Sequence, residues 1–144
     1  MDTKDFIIKQ ISVFSENKPG RLAAIAKALE EEKINIFAFS IAESKGFGVV
    51  RLLVDKPEPA LKKLADIGFM VSFTDVIAVN MKDEPGGLYA TAKILGDAAI
   101  NIEYAYAYSG KDAAILILRV DRVNEAIRDI RGKGGELLKS SMFI

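Results

Sequence analysis

One constant offset of 66 residues brings nearly the whole chain into register with itself, without a gap. Ile11, Val13, Pro19, Gly20 and Leu22 meet Ile77, Val79, Pro85, Gly86 and Leu88. Ala24, Ala26, Lys27 and Leu29 meet Ala90, Ala92, Lys93 and Leu95, and Ile34-Asn35-Ile36 meets Ile100-Asn101-Ile102. Leu52, Val54, Asp55, Ala60 and Gly68 meet Leu118, Val120, Asp121, Ala126 and Gly134. An internal period constrains the fold because each copy has to be one supersecondary unit. A shared helix pattern alone would not match at the turns, so matches over core, turn and cap positions imply duplication of a whole unit. The expected boundaries are 1–74 and 75–144.

Each unit reads the same way. Phe6 to Ser15 is rich in Ile, Val and Phe and predicts a strand. Pro19 and Gly20 open a helix, since Pro is tolerated in a first turn, and Leu22, Ile25, Ala26 and Leu29 recur at helical spacing. Ile34 to Ala42 and Phe47 to Val54 are two further strands around a Lys45-Gly46 hairpin turn. Asp55-Lys56-Pro57-Glu58 has the composition of a capping box. A second helix follows and ends at Gly68 in a left-handed cap. A short strand over about Met70 to Phe73 completes the unit. The second unit repeats this with strands near Val76–Met81, Asn101–Tyr108, Ala113–Val120 and Glu136–Lys139, and helices near Gly87–Ala98 and Arg122–Gly132. The order β-α-β-β-α-β is the split βαβ, ferredoxin-like arrangement. The fold class is therefore α+β: two tandem ferredoxin-like βαββαβ units with antiparallel sheets.

Two helices cover only one face of a four-stranded sheet, yet these strands are not half polar. Ile36-Phe37-Ala38-Phe39-Ser40-Ile41 is apolar in both alternating sets, and Val49 to Val54 is interrupted only by Arg51. Strands apolar on both faces are buried on both faces. The units are thus expected to pair with each other or with another chain. Tyr104, Tyr106 and Tyr108 share one side of their strand by the period of two, either as an aromatic interface or core face or as a wall beside a ligand.

Composition narrows function mainly by what it lacks. The chain has no Cys and no His. That removes disulfides, thiolate zinc sites, thiol nucleophiles and every Ser-His-Asp or Cys-His arrangement. No catalytic residues, metal ligands or cofactor are called, and an enzyme is not expected. Twenty basic and twenty acidic residues cancel, with no Lys/Arg block to mark a nucleic-acid footprint. No window approaches the roughly 18 apolar residues of a membrane helix. The start, Met1-Asp2-Thr3-Lys4-Asp5, is acidic where a signal peptide is basic. The expectation is a cytoplasmic protein with no nucleic-acid or membrane partner.

What remains is the turn Asn17-Lys18-Pro19-Gly20-Arg21-Leu22 and its copy Asp83-Glu84-Pro85-Gly86-Gly87-Leu88. The first N–H groups of a helix lack partners inside it and, with the helix dipole, favour an anion. Gly20 lets a ligand approach the backbone, and Asn17 offers both a donor and an acceptor. A purely structural account stays open beside this. Pro-Gly is ordinary turn chemistry, Asn17 is a good helix cap, and Asn35 tolerates a left-handed conformation after the first helix.

Asn-x-Pro-Gly-x-Leu after a strand, then Asn-Ile opening the next strand, resembles the ACT domain family, and two copies cover almost the entire chain. The resemblance implies the ferredoxin-like fold reached above and an amino acid held at an interface between paired domains. In the phosphoglycerate dehydrogenase regulatory domains of that family, the polar residue before Pro-Gly and the Asn before Ile contact the effector. By that correspondence Asn17 and Asn35 are site residues, with Pro19, Gly20, Arg21 and Leu22 beside them. Ser15 stands where that parallel has a His, which argues against serine as effector. In the second unit Asp83 replaces Asn17 and Met81 replaces Ser15, and Asp83 and Glu84 would repel a ligand carboxylate. The first turn is expected to bind and the second unit to supply mostly wall and support, with a second site at Asp83 and Asn101 as the less favoured option.

The expected function is an amino-acid-binding regulatory protein, a homodimer, with a metabolic enzyme as a further partner. The alternatives are a ligand-free interaction module or enzyme regulatory subunit, and, least favoured, an acylphosphatase-like hydrolase using Arg21 and Asn35.

Overall fold

The computed structural model describes residues 2–109 and 114–143, so Ala113, the expected first residue of one strand, lies outside it. The elements in chain order are β1 (Ile8–Glu16), α1 (Arg21–Glu31), β2 (Ile36–Ser44), β3 (Phe47–Val54), α2 (Pro57–Asp66), β4 (Met70–Met81), α3 (Gly87–Asp97), β5 (Ile102–Ser109), β6 (Ala114–Val120) and α4 (Val123–Gly132). Short 3-10 turns occupy Thr3–Phe6 and Ser140–Phe143. The chain forms two compact units, Lys9–Thr74 joined by Phe143, and Asp75–Met142 joined by residues 2–8.

Within the first unit the strand order is β2-β3-β1-β4, and within the second β4-β6-β5. β1 with β3, β2 with β3, β4 with β6 and β5 with β6 are all antiparallel. The fold is α+β, a tandem pair of ferredoxin-like units. The Lys45-Gly46 turn is a two-residue hairpin with positive φ at both residues, 54° and 85°, a geometry whose twist suits paired strands.

The positions that match at the 66-residue offset are the ones that build the cores. Ile11, Leu29, Leu52 and Leu64 are fully buried in the first unit. Their counterparts Ile77, Leu95, Leu118 and Ile130 are fully buried in the second. Each such side chain stabilises its unit by about 1.5–3 kcal/mol relative to an exposed one. The strands also bury residues that alternate with these: Gln10, Ser12 and Leu53 in the first unit, Ala78 and Ile117 in the second. Of the two strands that read as apolar on both faces, β3 buries both Leu52 and Leu53, whereas β2 leaves Phe39 and Ile41 exposed. Each unit also recruits a chain end. Phe6 enters the second core under the Arg131 guanidinium, 4.6 Å from the ring centre. Phe143 meets Phe37 edge-to-face at 5.9 Å in the first.

Several local expectations are corrected. The segments Met70–Phe73 and Val76–Met81 are one strand, β4. Thr74 and Asp75 look like a break but are consumed in the sheets. Thr74 Oγ1 lies 3.1 Å from Ser12 Oγ, and the Asp75 carbonyl accepts from Arg119 Nη1 at 2.8 Å. The strand expected over Glu136–Lys139 shrinks to a bridge between Leu137 and Val79, because the chain turns into Ser140–Phe143 directly after it. Helix α1 begins at Arg21, with Pro19 outside it and Gly20 left-handed at its cap, φ 89°. Asp55 does not cap α2, whose cap is Lys56 and whose first residue is Pro57. The left-handed residue after α1 is Lys33 rather than Asn35, and its counterpart is Ala99, both at φ 56°. Among the described residues no helix is long and apolar enough to cross a membrane.

Candidate functional site

The hairpin register places Gly48 opposite Ser15, and Val50 opposite both Val13 and Ile41. All of these side chains stand on the sheet face that carries α1. Beyond Ser15 the chain leaves β1 and turns through Asn17–Gly20 into the helix. The Asn17 N–H donates to the Gly46 carbonyl at 2.8 Å, which ties this turn to the tip of the β2–β3 hairpin.

No side chain caps α1. The Arg21 N–H donates to the Lys18 carbonyl at 3.2 Å and the Ala24 N–H to the Gly20 carbonyl at 3.0 Å. The Leu22 and Ala23 amides fall between them, at the positions that have no carbonyl partner within a helix. Both residues line a cavity of about 400 Å³, together with Ser15 through Arg21, Ile41, Gly48 and Val50. Positive potential from the helix dipole gathers at this mouth. Lys18 and Glu16 pair at 2.5 Å. The hydrogen bond from Lys18, followed by its charge, holds the Glu16 carboxyl below its ordinary range, and Arg21 adds to this. Ser15 Oγ donates to the Glu16 carbonyl at 3.1 Å.

Ser15, Asn17, Pro19, Gly20, Arg21 and Leu22 are therefore brought together. Asn35 is not among them. It lines a separate groove with Ala26, Glu30, Lys33, Ile34 and Ile36. Its N–H donates to Asp55 Oδ1 at 2.9 Å, and its carbonyl accepts the Asp55 N–H at 3.1 Å. Asn101 and Asp121 repeat this clamp at 3.1 and 3.2 Å. Beside each clamp a basic side chain reaches back to the end of the preceding helix. Lys56 Nζ donates to the Lys33 carbonyl at 2.9 Å, and Arg122 Nη2 donates to the Ala99 carbonyl at 2.6 Å.

Asp83 lines a cavity of about 780 Å³ at the second turn. The two turns are not equivalent. The second is walled by Lys133 through Glu136, the chain that follows α4, and includes no residue of β5 or β6. It is also folded more tightly, since the Glu84 N–H donates to the Lys82 carbonyl at 2.9 Å. Tyr104, Tyr106 and Tyr108 are half-buried and alternate with exposed Ala105 and Ala107, but none lines either turn cavity. Burial pushes the Tyr108 phenol up.

Sequence reasoning missed Ile41, Gly48 and Val50. The two-residue hairpin was the available signal, because it fixes Ile41 opposite Val50 and Glu43 opposite Gly48. Bringing that pair beside Ser15 requires the β1–β3 pairing, which no local pattern encodes.

A family model described as an ACT domain pair matches residues 6–135. Among solved structures, the chain is similar to protein BT0572 from Bacteroides thetaiotaomicron, with 34% identity over 94% of each chain and a TM-score of 0.90. It is also similar to the regulatory subunit of aspartate kinase from Thermus thermophilus in its ligand-free form. That likeness has 17% identity, covers 91% of this chain and 95% of that one, and has a TM-score of 0.66. The corresponding subunit from Thermus flavus gives 16%, 90%, 94% and 0.62. At these identities the two aspartate kinase subunits show a shared fold. No curated protein sequence matches the chain.

Proposed function

Because this chain belongs to the ACT domain pair family, we propose that it is a regulatory protein that binds an amino acid at the Asn17–Leu22 turn of its first unit. The observation that carries this reading is the uncapped start of α1 opening into a cavity. The Leu22 and Ala23 amides and Arg21 suit the carboxylate of a zwitterion. The Asn17 side-chain oxygen and Ser15 suit its ammonium. Asn35 and Asn101 lie outside the turn cavities. They serve a ligand in this reading only if a second copy of the chain brings them there, as in a homodimer. The second turn has Asp83 and Glu84 at its mouth, so it binds an amino acid more weakly than the first. No catalytic step is assigned to the chain.

The test is a thermal-shift screen of the twenty amino acids with the full chain. At least one should raise the melting temperature with the concentration dependence of mass action, and Asn17→Ala should reduce that shift. No shift with any of them would refute the reading.

A second reading, a regulatory subunit that acts by docking on an enzyme, is favoured by the exposed Phe39, Ile41 and Phe47 along β2 and β3. It predicts a stoichiometric enzyme partner in a pull-down, with amino acids inert.

A further inference from the structure

We propose that the first-turn cavity selects amino acids with an aliphatic side chain, an inference that rests on the binding reading above. The lining of the cavity falls into two sets of residues. Ser15 through Arg21 form the polar one, and Leu22, Ala23, Ile41, Gly48 and Val50 form the other, which presents no charged or amide side chain.

The charges are all in the polar set. Glu16 and Lys18 neutralise each other, which leaves Arg21 as the net charge beside the uncapped amides. That fits a ligand carboxylate and supplies no second partner for a ligand side chain. The deep positions in the other set are Val50, only 6% exposed, and the buried Gly48. A lysine, arginine, aspartate or glutamate side chain directed there would lose water without gaining a counter-ion. A serine or threonine hydroxyl would find no donor or acceptor among those side chains. Ser15 gives its hydrogen to the Glu16 carbonyl and so could meet such a hydroxyl only as an acceptor.

An aliphatic side chain gains from the same surface. Ile41, 45% exposed, lines the cavity where a ligand would cover it. Each methylene that fits an apolar wall improves affinity by on the order of tenfold. Valine, leucine and isoleucine should therefore exceed alanine.

Calorimetric titration of the full chain with valine, leucine, isoleucine, alanine, serine, lysine and aspartate tests this. Valine, leucine or isoleucine should bind at least about tenfold more tightly than serine, lysine and aspartate. Ile41→Ser changes an exposed side chain and leaves both cores intact. It should weaken the best aliphatic ligand about five- to tenfold while alanine changes by less than about twofold. Serine, lysine or aspartate binding as tightly as the aliphatic ligands would overturn the selectivity and leave the binding reading standing. Aliphatic affinities unmoved by Ile41→Ser would overturn the assignment of the apolar wall. No heat with any amino acid, and no thermal shift across all twenty, would overturn the binding reading itself.

Discussion

Replacing Gly87 by Ala tests whether the second turn is built differently from the first. Gly87 opens α3 at the position that Arg21 holds in α1. A Cβ at Gly87 would run into the carbonyl oxygen of Lys82, with the Lys82 carbonyl carbon and Met81 Cγ each at 3.2 Å. The main obstacle is backbone, and it is fixed in place, because that same oxygen accepts the Glu84 N–H. A flexible side chain could swing away; this carbonyl can move only by opening the turn. Overpacking of this kind costs about 1–3 kcal/mol. Ala recovers about 0.4–1 kcal/mol of this through a less free unfolded chain. From the midpoints of these ranges the expected net loss is about 1.3 kcal/mol. Gly86→Ala is the control. Gly86 is left-handed at φ 91° with nothing within 4 Å of an added Cβ, so its cost is the backbone conformation alone, about 1–2 kcal/mol less the same entropic recovery. Urea unfolding with a common slope measures both. Gly87→Ala should lose more than Gly86→Ala. A loss smaller than the control's, or one within about 0.5 kcal/mol of the parent chain, would refute the steric account of the second turn.

Two further substitutions probe the first unit. Asp55→Ala removes the acceptor of the Asn35 N–H and should lower stability by about 1 kcal/mol, while Asp55→Asn keeps an acceptor oxygen and should recover most of it. Equal losses in urea unfolding would mean that the clamp is not held by this bond. Lys18→Ala should let the Glu16 carboxyl rise toward its ordinary pKa, read by NMR titration of its side-chain carbon, since the hydrogen bond from Lys18 is the main cause of its depression. The sign follows from the lowered folded-state value. The pair's contribution to stability is present above the unfolded pKa and fades as pH falls through the folded one. An unchanged titration would show that the pair does not form in solution.

The fold was legible because duplication repeats its constraints: a turn, a core position or a helix end seen twice at one spacing is hard to mistake. What was misread lay where one residue type serves two purposes. Asp55 before Pro57 has the composition of a cap, but its carboxylate accepts the Asn35 amide across the unit instead. Thr74 and Asp75 have the composition of a linker, but a cross-strand hydroxyl contact and a carbonyl bond absorb them. Lys33 and Ala99 adopt the left-handed backbone without being Gly or Asn, and the carbonyl of each accepts from a basic side chain about 23 residues on. Local propensity makes Asn35 the more obvious candidate for that conformation. In each case a tertiary partner decided, and a partner distant in sequence leaves no local trace.

The same duplication separates scaffold from site. Positions that hold the units together match at the offset: Ile11 with Ile77, Leu52 with Leu118, and the Asn35–Asp55 clamp with Asn101–Asp121. Most positions that line the first cavity do not, although Pro19, Gly20 and Leu22 do. Ser15, Asn17, Arg21, Ile41 and Gly48 face Met81, Asp83, Gly87, Ala107 and Ala114. Two copies under the same folding demand keep what the fold requires and drift where it requires nothing. The drift also has a direction: in the second unit the bulk leaves the helix-side face of the edge strand, where Ala105 and Ala107 replace Phe39 and Ile41, and moves to the opposite face as Tyr104, Tyr106 and Tyr108. A wall that was apolar and partly exposed beside the first turn is thereby missing beside the second. A ligand that needs such a wall has its tighter site at the first turn, and one tight site per chain is the stoichiometry to expect.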